Sequence, residues 1–297
     1  MTARISIEGA CDLHIHTGPD VFDRLADDVE MAEICRDAGF RAIAYKHHVE
    51  STQGRAWHTM RQVPGIQVLG GLVLNNHVGG INPSAADGVL KNGASIIWMP
   101  SYHSLKHLQV MGSLGGYGYQ GGEKTPYEME PITIFDAEGK ITKETIQILE
   151  LIRKHNAIIA TSHLSAEEGI ELCKAAREIG VKKVLITHPF FMVPEYSLEQ
   201  LKTAVSYGGT VEFCASAVLN PVPKAIPFRW YVEAIQEIGA EHIVIGSDCG
   251  QARKTYPPET IRMFAQTLAY QGISAADIHK MLVSNYDPLL DGLKSQN

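Results

Sequence analysis

Apolar, β-branched runs alternate with amphipathic stretches of helical period along the whole 297-residue chain. The runs that predict strands are 10–14, 41–45, 66–74, 95–99, 157–161, 183–187, 209–213 and 242–246. Between them, apolar residues recur every three or four positions in 29–38, 84–92, 143–155, 165–179, 197–207, 228–238 and 258–271. Ile146, Leu149 and Ile152 mark the buried stripe of one such helix. Ser165 followed by Glu168 forms the capping-box pattern that opens another. Eight strand–helix steps with near-continuous apolar strands predict a parallel sheet covered by helices. Eight steps also match a closed (β/α)8 barrel, which typically takes ~250 residues, so the expectation is one α/β domain over 1–297. The competing arrangement is an open doubly wound sheet. It ordinarily carries a cofactor loop between a strand and a helix of a dinucleotide unit, and the Gly-rich stretch Gly112-Ser113-Leu114-Gly115-Gly116 does not stand in such a place.

One segment, 101–142, interrupts the rhythm after the fourth strand. It holds a Gly/Tyr stretch at 115–122, then Ile132-Thr133-Ile134-Phe135, a turn at Asp136-Ala137-Glu138-Gly139, and Lys140-Ile141-Thr142, which together read as a small hairpin. An insertion in a βα loop of a barrel lies over the face that carries active sites. The segment is therefore expected to be a lid or a subunit contact.

The chemistry sits where the runs end. The first run leads into Asp12-Leu13-His14-Ile15-His16, and on a strand residues i and i+2 share a face, so two imidazoles leave one strand end side by side. The second run ends in Lys46-His47-His48, the third leads to His77, and the fourth to His103. The fifth ends in Thr161-Ser162-His163, the sixth in Thr187-His188-Pro189, and the eighth in Gly246-Ser247-Asp248-Cys249. The seventh contains Glu212. Carboxyl ends of strands are where α/β barrels build their sites. Neutral imidazoles with a carboxylate suit zinc or a similar divalent ion.

This pattern resembles the amidohydrolase superfamily of metal-dependent (β/α)8-barrel hydrolases, and looks like a poorly characterised branch of it. In that family a His-x-His ends strand one, a His ends each of strands five and six, and an Asp ends strand eight; His14 and His16, His163, His188 and Asp248 match them. The resemblance implies that these residues hold a divalent metal, Zn2+ before Mn2+ or Fe2+, and that metal-activated water cleaves an amide, lactone, cyclic imide or ester bond of a small molecule. Binuclear members usually carry a carboxylated Lys or a Glu on strand four; here that strand reads Ser95-Ile96-Ile97-Trp98-Met99-Pro100 and has neither. A mononuclear site is therefore favoured, with His14, His16, His163 and Asp248 as ligands and His188 as a ligand or a catalytic group. Asp248 or His188 takes the proton of the water. Lys46, with its i+2 neighbour His48, is a candidate to stabilise the oxyanion; Lys46 is alternatively a carbamylated ligand, a clamp for a substrate carboxylate or phosphate, or a solvated lysine. Two metals per chain would require Lys46 or His48 among the ligands.

Other polar residues carry two readings each. Glu212 faces the pocket or pairs with a neighbour, and His47 points away from the face used by His48. His77 and His103 line the pocket or lie on the surface. His103 and His107 have i, i+4 spacing without the Glu of a HExxH motif and read as loop or helix surface. Arg24 clamps an anionic substrate or pairs with Asp20 or Asp23. Cys249 reads as an inert thiol and Trp98 as packing.

Composition narrows the function classes. A formal net charge of −7 argues against general nucleic-acid binding. No apolar run approaches the ~20 residues of a membrane span, and the N-terminus shows no signal-peptide core. Five dispersed cysteines without a CxxC suggest reduced thiols in a cytoplasm. The expected partner is a small-molecule substrate rather than nucleic acid or membrane, with a homo-oligomer left open. The alternatives to a hydrolase are a metal-dependent decarboxylase on the same fold and a non-catalytic, metal-containing binding protein.

Overall fold

Each apolar run forms a strand where the pattern puts it. In the computed structural model, residues 4–117, 121–122, 128–219 and 226–293 are described. The strands are β1 (Cys11–Ile15), β2 (Ala42–Tyr45), β3 (Gln67–Leu69), β4 (Gly71–Val73), β5 (Ile96–Trp98), β6 (Gly116–Tyr117), β7 (Gly121–Gly122), β8 (Ile158–Ala160), β9 (Val184–Thr187), β10 (Gly209–Cys214) and β11 (Ile243–Gly246). The run 66–74 is split at Gly70 into β3 and β4. A Cβ on Gly70 would stand 2.5 Å from Gln53 Cα, so the helix Gln53–Gln62 packs directly on this backbone.

The chain divides into two compact units. The first comprises Met1–Lys46, Thr52–Gly70 and Val211–Asp291. Within it β1 pairs in parallel with β2, and β2 with β3. From Val211 onward β10 pairs in parallel with β11. β1 also meets the chain just beyond β11: the Asp248 amide donates to His14 O at 3.0 Å and the His16 amide to Cys249 O at 2.8 Å. The strand side chains Leu13, Ile15, Ile43, Phe213 and Ile245 are fully buried, each contributing ~1.5–3 kcal/mol by removal from water. Helices Asp28–Asp37, Arg229–Ile238, Pro257–Tyr270 and Ala275–Leu282 cover them. Phe213, Tyr231 and Phe264 lock together through ring contacts of 4.8 and 5.2 Å.

The second unit comprises His47–Ser51, Gly71–Thr210 and Gly292–Asn297. Here β4, β5, β8 and β9 run parallel in that order, backed by helices Pro83–Lys91, Lys143–His155, Ala166–Ile179 and Leu198–Ser206. The capping box expected at Ser165 and Glu168 is present in both directions. Trp98 is fully buried, as core packing requires.

Two parts of the sequence reading change. The helix Gln53–Gln62 was not anticipated; its buried face is Gln53, Ala56 and Thr59, which makes no apolar stripe. The 101–142 insertion contains a helix, Leu105–Met111, started by Ser104, whose hydroxyl accepts from the His107 amide. The hairpin is present in the described residues, with an antiparallel bridge between Phe135 and Ile141 and the Asp136 amide donating to Lys140 O. Part of the Gly/Tyr stretch, 118–120, lies outside the described residues.

Candidate metal centre

The first unit gathers His14, His16 and Asp248. His14 lies in β1 and His16 one residue past it, their ring centroids 5.5 Å apart. Asp248 follows β11 and has φ of +52°, a left-handed conformation uncommon away from glycine. Such strain is held only where surrounding contacts over-determine it. Here the Asp248 amide is tied to β1, and its carbonyl accepts from Ser216 Oγ at 3.0 Å and Lys254 Nζ at 3.2 Å. Gly250 completes the turn at φ +118°, where a Cβ would stand 1.7 Å from His16 O. No other residue fits there.

The turn brings Asp248 Oδ1 to 3.2 Å from His16 Nε2 and 3.4 Å from His14 Nε2. Two donors each ~2.1 Å from a tetrahedral zinc stand about 3.4 Å apart, so these three atoms have the spacing of ligands around one cation. Their protonation suits it as well. Burial, then the nearby Arg24, pushes the His16 imidazole well below its ordinary range, so it is neutral. Burial raises the Asp248 carboxyl, but Lys254, His14 and His16 outweigh it and hold the group well below the usual carboxylate range.

The other face of His14 is fixed by Glu212. Glu212 lies in β10, is fully buried, and places Oε2 3.1 Å from His14 Nδ1. The carboxylate accepts a hydrogen bond from Nδ1–H and leaves the lone pair on Nε2, the support that metal-binding histidines ordinarily have. Cys214 Sγ stands 3.5 Å from the same Nδ1, and burial drives its thiol well above the ordinary value. His14, Glu212 and Cys214 also form a cluster of donor atoms, but it is centred on the protonated nitrogen of His14. The group His14, His16 and Asp248 is the one that fits a cation.

Lys46 directly follows β2, with Nζ 3.1 Å from His14 Nε2 and almost no exposure. Burial lowers its pKa, and Asp248 and Glu212 pull the other way. Asp12 is fully buried in β1; its Oδ1 accepts from the His14 and Ser247 amides, both at 3.1 Å, and ties the two strand ends together. Burial pushes the Asp12 carboxyl up to about 7. Arg24 is not a surface pair: it binds Asp20 at 2.8 Å through Nε, with both side chains buried.

The second unit holds His163, His188 and His48. His163 follows β8 and His188 follows β9, with ring centroids 5.1 Å apart. Ser162 and His188 have φ of +52° and +31°, the same kind of strained strand end as Asp248. His48 Nδ1 is 2.9 Å from Ser101 Oγ, which also accepts from Asn75 Nδ2 at 2.8 Å. His107, read as loop or helix surface, and His103, left between pocket and surface, are both fully buried. His103 Nδ1 accepts from the Asn76 amide at 3.0 Å, and burial lowers its pKa to about 3. His47 is buried too. Sequence reasoning weighed Glu212 without deciding its role and passed over Cys214 and the contact of His107 with His163. A glutamate inside an otherwise apolar strand was the available signal for the first. Nothing local marks the other two.

Comparison with known structures places this architecture. An amidohydrolase from Pseudomonas aeruginosa superposes with a TM-score of 0.65 at 13% identity, covering 97% of both chains. An organophosphorus hydrolase from Deinococcus radiodurans gives 0.63 at 14% identity, over 97% of this chain and 96% of that one. A 2,6-dihydroxybenzoate decarboxylase from Rhizobium gives 0.56 at 12% identity, over 96% and 100%. The likeness is one of fold: the chain shares with these structures the α/β class of parallel strands and helices expected from the strand–helix rhythm. No curated protein matches the sequence. A family model described as a family of unknown function, DUF6282, matches residues 9–212, a span that contains His14, His16, Lys46, His163, His188 and Glu212 and ends before Asp248. The chain belongs to that family, DUF6282.

Proposed function

We propose that the protein is a metal-dependent hydrolase of a small molecule, holding a divalent ion, zinc first, through His14 Nε2, His16 Nε2 and Asp248 Oδ1. The observation that carries this is the 3.2 and 3.4 Å spacing of those donors, with His14 Nδ1 tied to Glu212. When bound, the ion supplies Lewis acidity and lowers the pKa of a water toward ~7. The chain's own groups do the rest. Glu212 and Asp12 hold the β1 end rigid. The Asp248 carboxylate takes a proton from the attacking water and returns it to the leaving group. Lys46 Nζ, buried beside His14, offers an N–H to the oxygen on which negative charge develops. The spatial neighbours named amidohydrolase and organophosphorus hydrolase support the reaction class.

The sequence resemblance also names His163 and His188 as candidate metal ligands. Metal content of His163→Ala and His188→Ala measures their share. The five cysteines, all free and buried, support a reducing cytoplasmic location. Among the described residues, no helix is long and apolar enough to cross a membrane.

The test is metal content by elemental mass spectrometry, followed by turnover of lactones, amides and phosphotriesters. About one zinc per chain is expected, lost in His16→Ala. Asp248→Asn is expected to keep the fold and much of the metal and to lose turnover. A chain that takes up no metal on reconstitution refutes the reading. Release of carbon dioxide from an aromatic acid without water uptake would replace hydrolase by decarboxylase, the activity named for the Rhizobium neighbour.

A further inference from the structure

His107 has no place in the metal reading, yet it is fully buried and sits against His163. Its Nε2 is 2.8 Å from Gly116 O, and its Nδ1 is 3.1 Å from His163 Nδ1. The two rings are nearly parallel, 13° apart, with centroids at 5.2 Å. That separation is close to the largest two imidazoles joined through these atoms can have. The Nδ1 atoms therefore face each other in the ring planes, the geometry of an N–H···N hydrogen bond, rather than converging on a shared cation.

The protons can then be placed in sequence. Gly116 O is a carbonyl and only accepts, so His107 Nε2 carries a proton. A neutral imidazole has one N–H, so His107 Nδ1 is the acceptor. His163 Nδ1 must then donate, and the lone pair of His163 is left on Nε2. Burial lowers the His107 pKa and keeps that ring neutral.

We propose that His107 is a positioning residue that, anchored on Gly116 O, sets the Nδ1–H tautomer of His163 and so makes Nε2 the nitrogen able to accept a metal or a proton. The inference deepens the metal-dependent reading, in which His163 serves the metal. It explains what the 101–142 insertion contributes: the helix Leu105–Met111 brings His107 to the end of β8, and Gly116 of β6 supplies the anchor. Ser104 fixes the pair from the other side, its hydroxyl donating to His163 O at 2.8 Å and accepting from the His107 amide at 3.0 Å.

The experiment is 15N NMR of histidine-labelled, metal-free full-length protein, with the His163 signals assigned by their loss in His163→Gln. The expected result is the Nδ1–H tautomer for His163 in the wild type. His107→Phe removes the acceptor and should shift the population by about tenfold toward Nε2–H, the form an unconstrained imidazole favours. His107→Asn, whose carbonyl oxygen stands near the lost Nδ1, should keep Nδ1–H. A merely structural role for His107 would not move the His163 tautomer. A wild-type His163 in the Nε2–H form overturns the proposal without any variant, and so does a His107→Phe protein that folds and keeps Nδ1–H. Because the readout is taken without metal, its failure is separate from failure of the hydrolase reading, which zinc content decides.

Discussion

Glu212→Gln is the sharpest perturbation of the candidate centre, because it changes charge and almost nothing else. Glu212 is fully buried with Oε2 3.1 Å from His14 Nδ1. A hydrogen bond to a charged acceptor contributes about 1.5–3 kcal/mol and a neutral one about 1. The amide oxygen of Gln can still accept the Nδ1–H hydrogen bond, so the loss is the difference, about 0.5–2 kcal/mol, centred on roughly tenfold in metal affinity. Glu212→Ala removes the acceptor and should approach the 100-fold end of such supporting contacts, which typically span 10–100-fold. Zinc dissociation constants follow from competition with a chromophoric chelator on metal-stripped protein at fixed pH. Lys46 feels the Glu212 charge, so a melt of the metal-free variant separates any change in stability from the change in affinity. Glu212→Gln binding zinc within twofold of wild type would refute the claim that Glu212 orients His14.

Two further outcomes follow from packing and burial. Arg55 grips both oxygens of Asp28 at 2.8 Å and donates to Thr17 O and Gly18 O, holding the loop that leaves His16. Both side chains are mostly covered, at 14% and 15% exposure. Arg55→Met should cost about 2–4 kcal/mol, below the full penalty of breaking a wholly buried pair, and lower the melting temperature by several degrees. Arg55→Lys should recover only part, since it lacks the planar fork; an unchanged melt in Arg55→Met would show that the staple does not stabilise the fold. The thiols make the other outcome. Burial raises Cys11 from 9.0 to about 11, and Cys173 and Cys249 to about 12. Above pH 9 the unfolded chain releases these protons while the folded one keeps them, so stability should fall from pH 9 toward 11. Over the same range the native protein should resist thiol reagents until it unfolds. Rapid labelling of native protein at pH 8 would contradict the burial.

The alternation of apolar and amphipathic segments by itself determined the eight strand runs and seven of the helices between them, because burial on both faces forces each strand to be apolar and one-sided cover forces those helices to be amphipathic. It also placed His14, His16, His163, His188 and Asp248 at strand ends, since i, i+2 spacing and the end of an apolar run are local properties. The helix Gln53–Gln62 stayed invisible because its covered face is Gln53, Ala56 and Thr59, held by backbone proximity at Gly70 rather than by an apolar stripe. Only the tertiary structure decided that Glu212, 198 positions from His14, accepts the hydrogen bond of its Nδ1–H. It decided also that His107 is buried against His163 and not on a helix surface. Proton placement on an imidazole depends on which acceptor stands within hydrogen-bond distance, and no sequence pattern states a distance between residues that the fold alone brings together.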